Sequence, residues 1–205
     1  MSAQRDENWC RSLTSKHVGK LTLHNFIGAG KIGYVYRASL IEFPDAIRAV
    51  KLTFDQLKEG WEIELKKVTS LDRIEGVVHF HDLGAQTITH EGRSHLCQYT
   101  VWDFIPPGEN LKQYLKRVQA IDAGFLLAVV ERVLRVLHAC QVTGVPRHGD
   151  LHAGNILIGT PTDASLDETL RPRAEIYVSD FGYGGTGGAI KAKTITRVSP
   201  GSSTR

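Results

Sequence analysis

Two carboxylates and an amide stand at fixed spacing between His148 and Gly182. Asp150 lies in the run His148-Gly149-Asp150-Leu151-His152-Ala153-Gly154-Asn155. Asn155 follows Asp150 by five residues, a separation at which a tight loop can aim both side chains at one point. An apolar Ile156-Leu157-Ile158 comes next, and a second strand-like run, Ile176-Tyr177-Val178, leads into Asp180-Phe181-Gly182. Such a trio suits phosphoryl transfer: an amide oxygen and a carboxylate are hard ligands for magnesium, and a further carboxylate can orient an attacking hydroxyl. Taken singly, the same residues are ordinary turn and capping residues. Their joint spacing is what favours chemistry.

The run resembles the catalytic loop and metal-binding triplet of the eukaryotic-like protein kinase superfamily. It carries His-Gly-Asp-Leu-His where protein kinases usually have His-Arg-Asp-Leu-Lys, a variant closer to aminoglycoside and choline kinases. The resemblance implies a glycine loop and a strand lysine upstream, and the chain has both. Gly28-Ala29-Gly30-Lys31-Ile32-Gly33 lies between two strand-like runs, Leu21 to Ile27 and Tyr34 to Ala38. Glycines there let backbone N–H groups approach phosphate oxygens. A second strand, Ile47-Arg48-Ala49-Val50-Lys51-Leu52, puts Ala49 and Lys51 on one face.

By resemblance, Gly28, Gly30 and Gly33 cover the phosphates of ATP, Val35 and Ala49 line the adenine pocket, and Lys51 grips the alpha and beta phosphates. A helix expected from Phe54 to about Leu71 supplies its carboxylate partner. Glu64 is preferred, because Val68 and Leu71 follow on its side of the helix, and Glu62 is the alternative. Trp102 falls at the gatekeeper position, Asp103 to Ile105 form the hinge, and Pro106-Pro107-Gly108 is the linker. Asp150 is the implied catalytic base, and Asn155 and Asp180 are the implied Mg2+ ligands. His152 replaces the lysine that would neutralise the transferred phosphoryl group, and histidine is only partly charged near neutral pH. Gly149 replaces the arginine that reads an activation-segment phosphate, so activation by that route is not expected. His148 is read as a scaffold residue bracing the loop.

The implied fold is α+β and bilobal: a five-stranded antiparallel N-lobe with one helix over residues 20–105, then an incomplete, mainly helical C-lobe over 106–190. Residues 1–19 carry few periodic apolar positions and are expected to form a solvated extension, with Trp9 and Cys10 against the core. Strands are expected at Val77 to Phe80 and Cys97 to Ile105, joined across the polar Thr89-to-Arg93 turn. Asn110 N-caps a short helix. Ile121, Phe125, Leu126, Val129, Val130, Val133, Leu134 and Leu137 recur at helical intervals, a stripe expected to be core. Residues 191–205 are expected to be a disordered tail, fragmentary or read out of frame, because the anchor and helices that follow in the family have no counterpart.

Composition sets wider limits. The chain has 205 residues, 41% hydrophobic and 23% charged, which is ordinary for a globular protein. A net charge of +3 is spread among acidic residues rather than gathered into a basic stripe, which argues against nucleic-acid binding. Cys10, Cys97 and Cys140 are odd in number and widely spaced, so neither a disulfide framework nor a zinc site is suggested. No apolar run is long enough to span a bilayer, and a reducing cytoplasm fits best. The expected activity is ATP- and Mg2+-dependent phosphotransfer by a serine/threonine-type protein kinase acting on a protein hydroxyl. A small-molecule kinase and an inactive nucleotide-binding fragment are the alternatives.

Overall fold

The computed structural model describes residues 7–30, 33–54, 69–71, 73–145, 147–160 and 175–181. A short helix, α1 (Glu7–Arg11), precedes six antiparallel strands: β1 (His17–Val18), β2 (Leu21–Ala29), β3 (Tyr34–Leu40), β4 (Ile47–Phe54), β5 (Phe80–His90) and β6 (Arg93–Asp103). Their order in the sheet is β1-β2-β3-β4-β6-β5. Beyond it come β7 (Glu109–Asn110), α2 (Leu111–Arg117), α3 (Ala123–Val142), a 3-10 turn at Ala153–Asn155, β8 (Ile156–Gly159) and β9 (Glu175–Val178). The last three strands form a second sheet, β7-β8-β9.

The large sheet therefore has six strands rather than the five expected. The extra one belongs to the segment expected to be a solvated extension. Val18 pairs with Leu21 across a two-residue turn, where Gly19 takes φ +57°. Cys10, Leu13 and Val18 are fully buried, and the Tyr36 hydroxyl donates to the Cys10 carbonyl at 2.8 Å. Trp9 and Cys10 pack on the core as expected, while Leu13 and Val18 join them at uneven intervals that show no period.

Alternation along β4 explains why that packing matters. Val50, Leu52 and Phe54 are buried on the face covered by residues 9–18, while Ala49, Lys51 and Thr53 are half-buried on the other. The sheet also curls until its edges meet. Gln86 on β5 accepts from Gly19 N–H at 2.8 Å and donates to the His17 carbonyl at 2.9 Å. Tyr99 on β6 fills a notch bounded by Gly19 and Gly84, where an added Cβ at either glycine would collide with its hydroxyl and ring.

Strand β5 starts at Phe80, where the expected Val77–Phe80 strand ends, and runs to His90, two residues into the expected turn. The turn shrinks to Glu91 and Gly92, at φ +50° and +73°, a geometry that matches strand twist in two-residue hairpins. Only Phe80 and Ile88 of β5 are buried, so its polar sequence lacks the usual apolar alternation. Residues 76–78 instead join the small sheet: Val178 N–H donates to the Gly76 carbonyl at 2.7 Å, and Val78 N–H to the Val178 carbonyl at 3.0 Å. This stitch places the end of β9 beside the large sheet.

Helix α2 begins as expected, with Asn110 and Gln113 forming a reciprocal capping box. Helix α3 is capped by Asp122, and beyond its C-terminus Gly144 takes φ +89°. Its apolar stripe is not uniformly core. Val129 and Val133 of the stripe are buried against the small sheet, with Val136 and Cys140 beside them, whereas Val130 and Leu134 of the stripe are 55% and 60% exposed. Ile121 and Leu126 are exposed as well. The helix is apolar on two faces and covered on one. No helix among the described residues is long and apolar enough to cross a membrane.

The Tyr99 notch generates a prediction. Gly84→Ala is expected to destabilise the chain by ~1–3 kcal/mol through overpacking, measured by urea unfolding. In a Tyr99→Ala background the same substitution should cost far less, giving a clear coupling energy in the double-mutant cycle.

Candidate active site

Strand register assembles one wall of the site. Gly28 pairs with Val35, Val35 with Lys51 and Lys51 with Thr100, so this row shares a sheet face. Ala49 pairs with Trp102 on the same face, where Trp102 donates Nε1–H to Thr100 Oγ1 at 2.9 Å and packs edge-on against Phe80. Val35, Ala49, Lys51 and the expected gatekeeper are thereby brought together, facing away from the residues 9–18 that cover the other side.

The glycine turn borders this wall. Gly30 N–H donates to the Gly33 carbonyl at 2.8 Å. A Cβ at Gly33 would lie 2.7 Å from the Leu52 carbonyl oxygen, so the close approach of the turn to β4 requires glycine. Among the described residues, a Cβ at Gly28 would meet nothing within 4 Å, and one at Gly30 the Gly33 carbonyl at 3.7 Å. Lys31 and Ile32, Glu62 and Glu64, and Gly182 lie outside the described residues.

Lys51 reaches across to the second sheet. Its Nζ donates to both carboxylate oxygens of Asp180, at 2.9 and 2.8 Å, with the side chains 11% and 29% exposed. At this burial the pair is shielded from solvent screening, and removing one partner would strand a charge. Asp180 has φ +59°, uncommon for a residue with a side chain.

The loop from His148 to Asn155 is held from beneath. His148 is buried; its Nε2 donates to the Ser179 carbonyl at 2.8 Å, its Nδ1 accepts from Asp150 N–H at 3.3 Å, and its ring lies 4.4 Å from that of Phe181. Asn155 is also buried and donates Nδ2–H to the Asp150 carbonyl at 2.9 Å, which leaves its Oδ1 as the acceptor. The Asp150 carboxylate is exposed. Its backbone is fixed while its side chain is open to an incoming group. His152 turns back on its own loop: Nδ1 accepts from Gly154 N–H at 3.0 Å, so the neutral ring carries its proton on Nε2, 3.8 Å from Asp150 Oδ2. Gly149 takes φ +90°, which a side chain rarely adopts.

At the hinge, Asp103 N–H donates to the His79 carbonyl at 2.9 Å, and the Ile105 carbonyl accepts from Gly108 N–H at 2.7 Å. The Asp103 carboxylate pairs with His81 Nε2 at 2.6 Å. Ser179 is a residue of this neighbourhood that the sequence did not reveal. It ties the loop to β9, and nothing in its type or spacing marks it.

The donor set fits a magnesium nucleotide. Asn155 Oδ1 and the Asp180 carboxylate are hard oxygen donors, and magnesium takes only one or two protein ligands when phosphates supply the rest.

No family model matches the chain, and no curated protein sequence matches it. Solved structures do. The PknI kinase domain of Mycobacterium tuberculosis superposes with a TM-score of 0.59 at 19% identity, over 82% of this chain and 61% of that one. The chain therefore has a protein-kinase-like fold and spans less than two-thirds of that domain's length.

Burial holds the His148 imidazole below its ordinary value near 6.5, against the upward pull of the Ser179 carbonyl and the Asp180 and Asp150 carboxylates. The folded chain thus binds this proton less readily than the unfolded chain. Stability is expected to be greatest above about pH 6.5 and to fall as pH drops below it, toward the lowered folded value. His148→Gln, which cannot titrate, should narrow the gap between urea midpoints at pH 7.5 and pH 5.

Proposed function

We propose that the chain is an ATP-dependent phosphotransferase of the protein-kinase type, transferring the gamma phosphoryl group of ATP to a protein hydroxyl. The observation that carries this reading is the Lys51–Asp180 ion pair. It joins the sheet face bearing the glycine turn to the strand end beside the Asp150 loop. In this reading Lys51 binds the alpha and beta phosphates, with Glu64 as its further carboxylate partner and Glu62 the alternative. Gly28, Gly30 and Gly33 lie over the phosphates. Val35 and Ala49 flank adenine, and the hinge from Asp103 to Ile105 offers Ile105 N–H to its ring edge.

Asn155 and Asp180 would hold Mg2+, which when bound supplies charge neutralisation of the phosphates. Asp150 orients the acceptor hydroxyl and takes its proton as the oxygen bonds to the gamma phosphorus. The bond to the beta phosphate oxygen breaks and ADP leaves. His152, whose Nε2 lies 3.8 Å from Asp150 Oδ2, contributes a hydrogen-bond donor where protein kinases carry a lysine. Most of the rate comes from positioning and charge stabilisation. A small-molecule hydroxyl is the second reading, favoured by Gly149, which leaves the surface beside Asp150 without a side chain.

The test is mass spectrometry after incubation with ATP and Mg2+, on a generic protein substrate and on an aminoglycoside panel. Asp150→Asn is expected to lower transfer by at least ~10²-fold while leaving the Kd for ATP within about threefold. Lys51→Met should instead weaken ATP binding by about tenfold, the loss of one charge-assisted contact. Equal turnover by the parent and Asp150→Asn would sink the assignment of Asp150. Transfer to the panel but not to protein would select the second reading.

A further inference from the structure

We propose that Ser179 is a positioning residue that sets the spacing of the two candidate magnesium ligands, Asn155 and Asp180. This rests on the phosphotransferase reading. All three polar groups of Ser179 are bonded to the loop that carries Asp150 and Asn155. Its N–H and its Oγ–H both donate to the Asn155 carbonyl, at 2.9 and 3.2 Å, and its own carbonyl accepts from His148 Nε2 at 2.8 Å. The two donors occupy both lone pairs of the Asn155 carbonyl and so fix that peptide plane. The side chain of Asn155 is fixed in turn through Asp150.

The adjoining Asp180 needs such a clamp. Its φ of +59° is a conformation that persists only where the surroundings impose it. On one side Phe181 is 2% exposed and packs on His148; on the other stands Ser179. One ligand is thus the residue that Ser179 grips, and the other is its chain neighbour. The backbone bonds are open to any residue, and the hydroxyl is what serine adds.

The experiment compares the parent chain with Ser179→Ala and Ser179→Thr, and with Ser179→Val as the near-isosteric control for threonine should alanine unfold the chain. Two quantities are read: amide hydrogen exchange over Tyr177 to Phe181 without nucleotide or metal, and the Mg2+ midpoint for ATP binding by thermal shift. Loss of the hydroxyl is expected to speed exchange at Ser179 and Asp180 by ~3–10-fold and to raise the Mg2+ midpoint by ~3–10-fold, the share of one weak neutral hydrogen bond. Metal-free ATP binding should stay within about twofold, and threonine should restore both readouts. Parent-like exchange and midpoint in both Ser179→Ala and Ser179→Val overturn the proposal alone. A parent chain without magnesium-dependent nucleotide binding overturns the phosphotransferase reading and this proposal with it.

Discussion

The candidate site depends on one ion pair between residues 129 positions apart, Lys51 and Asp180. Neither sheet can supply it alone. Lys51 points where it does because β4 alternates, with Val50 and Leu52 committed to a buried core on the opposite face. Asp180 points where it does because β9 is stitched to residues 76–78, and because Ser179 and Phe181 hold its backbone from both sides. A half-buried ammonium and carboxylate tolerate little drift before desolvation outweighs attraction. The two sheets must therefore meet in one arrangement for the pair to form well.

The N-terminal segment has a structural part in this. By covering one face of the large sheet, Cys10, Leu13 and Val18 leave the opposite face for Val35, Ala49, Lys51 and Trp102. Division of labour between faces lets the same strands carry a dry core and a ligand-facing wall. The curl of the sheet, closed by Gln86 against His17 and Gly19, wraps around the covered face and leaves the other to the site.

What was legible in the sequence was the part with unusual chemistry at short range. Asp150 and Asn155 share one loop, and Ala49 and Lys51 share one strand, so spacing alone brings each pair together. The protein-kinase-like fold followed from the order of these motifs. What escaped had weak local signals or depended on distant chain. Leu13 and Val18 pack at positions that show no period, and β5 is a largely polar strand paired along its length to β6. The stripe on α3 has the right period for a core helix. Period, though, specifies a face and not whether anything covers it, and Leu126, Val130 and Leu134 are exposed. Ser179 bonds through one hydroxyl and its backbone, which no composition or spacing distinguishes from an ordinary strand end.

The notch that receives Tyr99 imposes an order on how this chain can change over generations. Gly19 and Gly84 each face the same phenol, so a side chain at either is penalised while that ring remains in place. Gly19 is held to glycine by its φ of +57° as well, so the freedom to vary lies with positions 84 and 99. Shrinking position 99 first opens position 84 to a side chain, and once position 84 has grown a return to tyrosine carries the same penalty. The two positions form a ratchet, and their joint state in any descendant would record which step was taken.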